Sequence, residues 1–250
     1  MIKDSIIYIV EKFLRLISNF LLSLWIIRII GPTEFGNFSL ALTIVILLFS
    51  FSDLGIESII AKDIKCLEKK RGQIIFTAIS LKLIISIFLT IFIALYLLIA
   101  KNDFKINYLI LILSIGQCIS SFGYIESYCI GIKKSYITTK IYFFTNFISI
   151  FLKIFTIKLY PNSLGLSISY LYEYSLFAIF SSIYLIRNFL NSNISFDFSI
   201  KYTRLLINKA KYLILSNFFS RITLKSEILI LGILFEPNLV GVYAASKKII

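Results

Sequence analysis

Apolar runs near 6–29, 37–60, 73–100, 107–130, 137–158, 164–186 and 212–235 dominate this chain, and an eighth begins after Gly241. Each complete run can cross a hydrocarbon layer of about 30 Å as a helix. Inside such a layer every backbone N–H and C=O needs an internal partner, so helices are the structure that these runs can form. Among 250 residues, 58% are hydrophobic and 16% aromatic, and the mean hydropathy is +0.90. A soluble core has no use for so many runs of this length. The sequence therefore predicts an all-α, polytopic helical membrane protein.

The breaks fall at "GPTEFG", "KDIKCLEKKRG", "KNDFKIN", "GIKKSY", "YPNS", the stretch from Arg187 to Lys211, and "EPNLVG". The first run ends in Arg28 without a small-residue cleavage site, which predicts a retained helix rather than a signal peptide. Of the 26 Lys and Arg against 13 acids, most sit in alternate loops. One set holds Lys62, Lys65, Lys69, Lys70, Arg71, Lys133, Lys134, Arg187, Lys201, Arg204, Lys209 and Lys211; the other holds Lys101, Lys105 and Lys158. The positive-inside bias places the first set and the amino terminus in the cytoplasm. This topology accounts for the basic excess without a nucleic-acid partner. No connection has room for a soluble catalytic domain, histidine is absent, and Cys66, Cys118 and Cys129 lack metal-ligand spacing. The expectation is a non-enzyme with buried thiols, no metal and no cofactor.

An internal repeat is visible. "GPTEFGNFSLA" at 31–41 and "EPNLVGVYAAS" at 236–246 each place Pro four residues before Gly, then an aromatic and small residues. Pro32 and Gly36 match Pro237 and Gly241, and both motifs follow one apolar run and open another. Residues 1–186 are expected to form a first six-helix lobe, 187–211 a cytoplasmic linker, and 212–250 the start of a second lobe. Duplicated six-helix halves are a common transporter design. On this count the chain stops early in its second repeat.

"RIIGPTEFGNFSLA", "FSDLGIESIIAKDI" and "LGILFEPNLVGVYAASKKI" resemble the polysaccharide biosynthesis proteins, the O-antigen flippases of the multidrug, oligosaccharidyl-lipid and polysaccharide exporter superfamily. The resemblance implies two six-helix lobes around a cavity in a bacterial inner membrane. It implies flipping of undecaprenyl-diphosphate-linked oligosaccharide, beside other polysaccharide-assembly membrane proteins. The family's acidic position in the seventh helix is filled here by Glu227, where Asp is more usual.

Charges within the apolar runs are the candidate site. In the seventh run, 14 Leu, Ile and Phe contribute roughly -0.5 kcal/mol each, while Arg221, Lys225 and Glu227 cost up to about +3 each, so the helix needs a partner for its charged face. Arg221 and Lys225 share a face at i and i+4. With Arg15 and Lys82 at similar depth, they are the expected binding site for a diphosphate. Glu11, Arg15, Ser18, Asn19 and Ser23 form a stripe in the first run, and Glu11 with Arg15 is equally an ion pair near the interface. Asp53 and Glu57, one turn apart in the second run, are either an ion-coupling site or a cytoplasmic closure onto Lys62 or Lys65. Glu173 and Glu227 are further candidates for ion coupling, Glu227 equally for a helix contact. Lys153 is expected to snorkel to the periplasmic surface.

The functions in contention are a lipid-linked oligosaccharide flippase, a cation-coupled multidrug exporter with the same architecture, and a truncated inactive fragment. A membrane glycosyltransferase or polymerase fits less well, because it would need a large outer loop with catalytic acids or arginines.

Overall fold

A computed structural model describes residues 2–99, 104–190 and 197–247; the stretch around Lys101 and residues 191–196 of the expected linker lie outside them, as does the end of the eighth run. The elements are α1 (Ile2–Phe49), α2 (Glu57–Cys66), α3 (Arg71–Ile99), α4 (Phe104–Ile119), α5 (Ile125–Gly131), α6 (Ser135–Leu159), α7 (Ser163–Leu190), α8 (Ile200–Leu234) and α9 (Pro237–Ser246). Short 3₁₀ turns at Glu68–Lys70 and Ser120–Tyr124 join some of them. Among the described residues there is no strand, as the sequence predicts.

Helix α6 turns its hydroxyls inward and its phenylalanines largely outward. On α6, Thr138, Thr139, Thr145, Ser149 and Thr156 are buried, while Phe143, Phe144, Phe147, Phe151 and Phe155 are exposed. A soluble helix would do the reverse. In lipid, apolar side chains gain little by hiding, and small hydroxyl residues let helices approach closely and share hydrogen bonds. Many of these hydroxyls donate to the carbonyl three or four residues back, among them Thr138 to Ser135 O at 2.7 Å and Ser149 to Asn146 O at 2.9 Å.

Four stretches are long and apolar enough to cross a membrane by length and composition: Ile9–Phe49, Glu68–Ile99, Lys105–Gly131 and Ser135–Leu159. The first takes in most of the run 6–29 and the first part of the run 37–60. α1 is kinked between them at Gly31, whose φ of 81° and ψ of 162° lie outside the helical region. Gly adopts that φ without a Cβ clash, and Pro32 follows at a position where its missing N–H costs nothing. "GPTEFG" is therefore a hinge between two helical segments, with the second starting at Pro32, rather than a loop. α7 and α8 have ample length, at 28 and 35 residues, but their Ser, Tyr and charged content makes them more polar.

Two expected helices are broken. The run from 37 to 60 ends as a helix at Phe49 and restarts at Glu57, with Leu54 and Gly55 at φ 52° and 62° between. The run from 107 to 130 changes to a 3₁₀ turn at Ser120–Tyr124. The expected linker is in large part helix: α7 extends to Leu190, and from Ile200 the chain is already in α8, capped by Ser199 accepting from Tyr202 N at 3.2 Å. Leu206 and Ala210 are fully buried there against the cluster formed by Ile60, Ile64, Ile75 and Tyr128. Tyr202 donates to Asp63 of α2 at 2.9 Å. Its burial, and then that hydrogen bond and the Asp63 charge, push the phenol's pKa up.

The repeat motifs meet face to face. A Cβ on Gly36 would collide with the carbonyl of Pro237, and a Cβ on Gly241 would collide with the carbonyl of Pro32. Each glycine is what allows the opposite motif's backbone to approach. This reciprocity is the geometry of two related helix starts packed about a local two-fold.

Candidate functional site

The break at residues 50–56 carries Asp53 into the bundle, where it is the meeting point of three elements. Its Oδ1 is 2.6 Å from Lys82 Nζ of α3, and its Oδ2 is 2.5 Å from Arg221 Nη2 of α8. Its backbone carbonyl accepts from Tyr124 Oη at 2.7 Å, at the end of the 3₁₀ turn that breaks the other helix. Lys82 also lies over the Tyr124 ring, 5.2 Å from its centre. Two helix breaks therefore meet at one residue, through its backbone carbonyl. Non-helical backbone at membrane depth is tolerated where protein or a water-filled cavity covers it, and positive φ at a branched residue such as Leu54 is kept where the surroundings enforce it.

Depth follows from helix rise. Lys82 is about 17 Å along α3 from Arg71, and Arg221 is about 20 Å along α8 from its far end. In a layer about 30 Å thick, positions this far along their helices are the ones the sequence expects to be inside it. Asp53 does not reach Lys62 or Lys65 as a cytoplasmic closure. It also does not share a helical face with Glu57, because Asp53 lies in the break between α1 and α2 and Glu57 opens α2. Glu57 is exposed, near enough to Asp53, Lys82 and Arg221 to feel their charges.

The other expected cations go elsewhere. Lys225, one turn from Arg221, makes no ion pair among the described residues and lines a cavity of about 340 Å³ with Lys247, Phe38, Thr43 and Tyr170. Arg15 stands 3.6 Å from Glu11 and stacks over Tyr142 at 4.3 Å. It lines a smaller cavity of about 170 Å³ with Asn146, Tyr174 and Glu173. A third cavity, about 340 Å³, lies between them and shares Glu173 with one and Phe35 and Tyr170 with the other. The three form a chain along the inside of the bundle, from Arg15 to Lys225.

Lys153 sits at the junction of that chain. It is buried rather than snorkelling, 2.5 Å from Glu173 and 4.6 Å from the centre of the Tyr170 ring. The sequence holds a signal for this pair: α6 and α7 form a tight hairpin, and the stagger of about 6 Å between positions 153 and 173 across its turn is one that a lysine side chain can span. Glu227 is exposed, pairs with Lys247 and accepts from Tyr243 at 2.6 Å, which ties α8 to α9. Glu34 is not among the residues that the sequence singles out, yet it accepts from Ser163 N at 2.9 Å and Oγ at 2.8 Å and pairs with Lys105. A carboxylate there satisfies the first turn of α7 and complements its dipole. Of the thiols, Cys129 is buried and Cys118 half-buried, but Cys66 is exposed. No group of metal-ligating side chains occurs among the described residues.

Comparison with known families adds one finding. The family model described as "Polysaccharide biosynthesis protein" matches residues 1–250. No curated protein and no solved structure matches closely enough to stand beside it. With the multi-pass helical fold, the match over the whole chain establishes that this protein belongs to the polysaccharide biosynthesis protein family.

Proposed function

We propose that this chain is a flippase, or part of one, that carries an undecaprenyl-diphosphate-linked oligosaccharide across a bacterial inner membrane with its amino terminus in the cytoplasm. The observation that carries the proposal is the hub at Asp53: Lys82 and Arg221 converge on one carboxylate, with Lys225 a turn further along α8. Lys82 and Arg221 are balanced by Asp53 and Glu57, and Lys225, one turn from Arg221 and without an ion pair among the described residues, adds one net positive charge for an anionic group to neutralise. Arg221 is 35% exposed at its side chain, so a phosphate oxygen can reach it without unfolding anything.

In this reading the diphosphate replaces Asp53 at Arg221 and recruits Lys225, while Lys82 keeps Asp53 in place. Arg presents a planar fork to phosphate oxygens and Lys a point charge, so Arg221 is the less replaceable of the two. The cavity chain from Lys225 past Tyr170 and Glu173 to Arg15 gives the glycan a polar, aromatic-lined path. A multidrug exporter would want an acid-dominated cavity for cationic cargo, and here three of the carboxylates, Asp53, Glu173 and Glu227, are each held by Lys or Arg.

The test is complementation in a strain that lacks its own flippase. Arg221→Gln should abolish surface polysaccharide at unchanged membrane level, and Arg221→Lys should restore part of it. Normal polysaccharide in Arg221→Gln at normal expression would make the cation structural and remove the proposal.

A further inference from the structure

Glu11 is 6% exposed at its side chain, yet neither carboxylate oxygen has a hydrogen-bond partner. It is the one ionisable side chain among the described residues in that condition. Arg15, the nearest cation, is 3.6 Å away, beyond hydrogen-bond reach, and is drawn instead over Tyr142 of α6. Tyr142 donates at 3.0 Å to Glu126 of α5. Glu126 in turn is close enough to Glu11 for the two like charges to interact. The groups that face Glu11 are thus Lys12 and Arg15 on its own helix and Glu126 on α5, with Tyr142 between, and Glu57 of α2 faces Glu126.

An ionised carboxylate buried without donors is costly, and a second carboxylate nearby adds to the cost. Binding a proton removes both. We propose that Glu11 and Glu126 form a proton-binding site in which one proton from water attaches to a Glu11 oxygen and leaves Glu126 ionised on the Tyr142 hydroxyl. The charge of the cluster rises by one, the repulsion between α1 and α5 is relieved, and Arg15 keeps its place over Tyr142. Sodium is a poor occupant, since a guanidinium stands 3.6 Å from the same oxygen and hard cations need several oxygen ligands. Glu126 lies two residues past Tyr124, whose hydroxyl donates to the Asp53 carbonyl, which puts the proton site beside the hub. The proton site stands by itself; its use to drive transport rests on the flippase reading.

Infrared spectroscopy of the purified protein in detergent, titrated with acid, tests it. The C=O band of a protonated carboxylic acid should be present in the wild type at a pH above the range in which exposed carboxylates take up protons, and missing there in Glu11→Gln. In Glu126→Gln its midpoint should move to lower pH by about one unit, because removing a like charge makes Glu11 easier to ionise. Glu11→Asp, which keeps the acid should Glu11→Gln fail to fold, should retain the band at a shifted midpoint. An unchanged band in Glu11→Gln, or one that sodium abolishes at constant pH, would overturn the proposal. Pyrophosphate binding should be the same in Glu11→Gln as in the wild type, which separates this site from the one at Arg221.

Discussion

Replacing Asp53 by Asn keeps the shape of the hub and deletes its charge, so Lys82 and Arg221 are left to repel each other. Breaking a buried pair by removing one partner costs about 3 kcal/mol or more, and part of that is lost here because Arg221 is partly exposed. Lys82→Met should be milder, since Asp53 keeps Arg221 and an apolar chain of similar size fills the space. Thermal unfolding in detergent should rank the midpoints wild type, then Lys82→Met, then Asp53→Asn; equal midpoints would mean that the ion pairs do not hold the hub. That cations at mid-depth need a partner is legible in the sequence, because each carries a desolvation cost that some group must offset. That the partner is Asp53 is not. The apolar run "ILLFSFSDLGIESII" conceals a break, and the signal for it is local: Ser50, Ser52, Asp53 and Gly55 gather turn-forming residues within six positions. Lys153 departs from its expected place for a related reason. Nearness to a helix end suggests the surface, whereas Glu173 across the hairpin draws it inward.

At the scale of elements, the crossing of the two Pro-x-x-x-Gly segments is the most constrained contact. Gly36→Ala and Gly241→Ala each place a methyl against a carbonyl of the opposite motif, and overpacking of this kind costs about 1–3 kcal/mol. Once one substitution has forced the backbones apart, the second finds room. The double variant should therefore unfold at a midpoint well above that expected from the sum of the two single losses, a coupling that a double-mutant cycle measures. Gly123→Ala is the control: a Cβ there meets nothing, and Ala is expected to be neutral or slightly stabilising. Additive losses would mean that the two glycines act separately. The motif pair is legible as a repeat from spacing and position alone. Its physical purpose is not, since no pattern along a chain says that two helix starts will touch.

For the whole molecule, the fold class follows from run length and hydropathy, and the inside-out distribution of Phe and Thr on α6 agrees with it. Orientation is a separate matter and rests on the twelve-to-three bias of Lys and Arg between alternate loops. Cys66 lies at the basic end and is exposed, while Lys158 marks the opposite end. In intact cells a membrane-impermeant thiol reagent should leave Cys66 unlabelled and should label Lys158→Cys in a background without Cys66; the reverse pattern would invert the topology. The central claim, that a diphosphate is held at Arg221 and Lys225 beside Asp53, is tested most directly by titrating the purified protein with inorganic pyrophosphate. A lost charge-assisted hydrogen bond is worth about 1.5–3 kcal/mol, so Arg221→Gln should bind about ten to a hundred times more weakly than the wild type. Lys225→Gln should lose less, and all binding should weaken with added salt. Equal affinity in the wild type and Arg221→Gln would contradict the account.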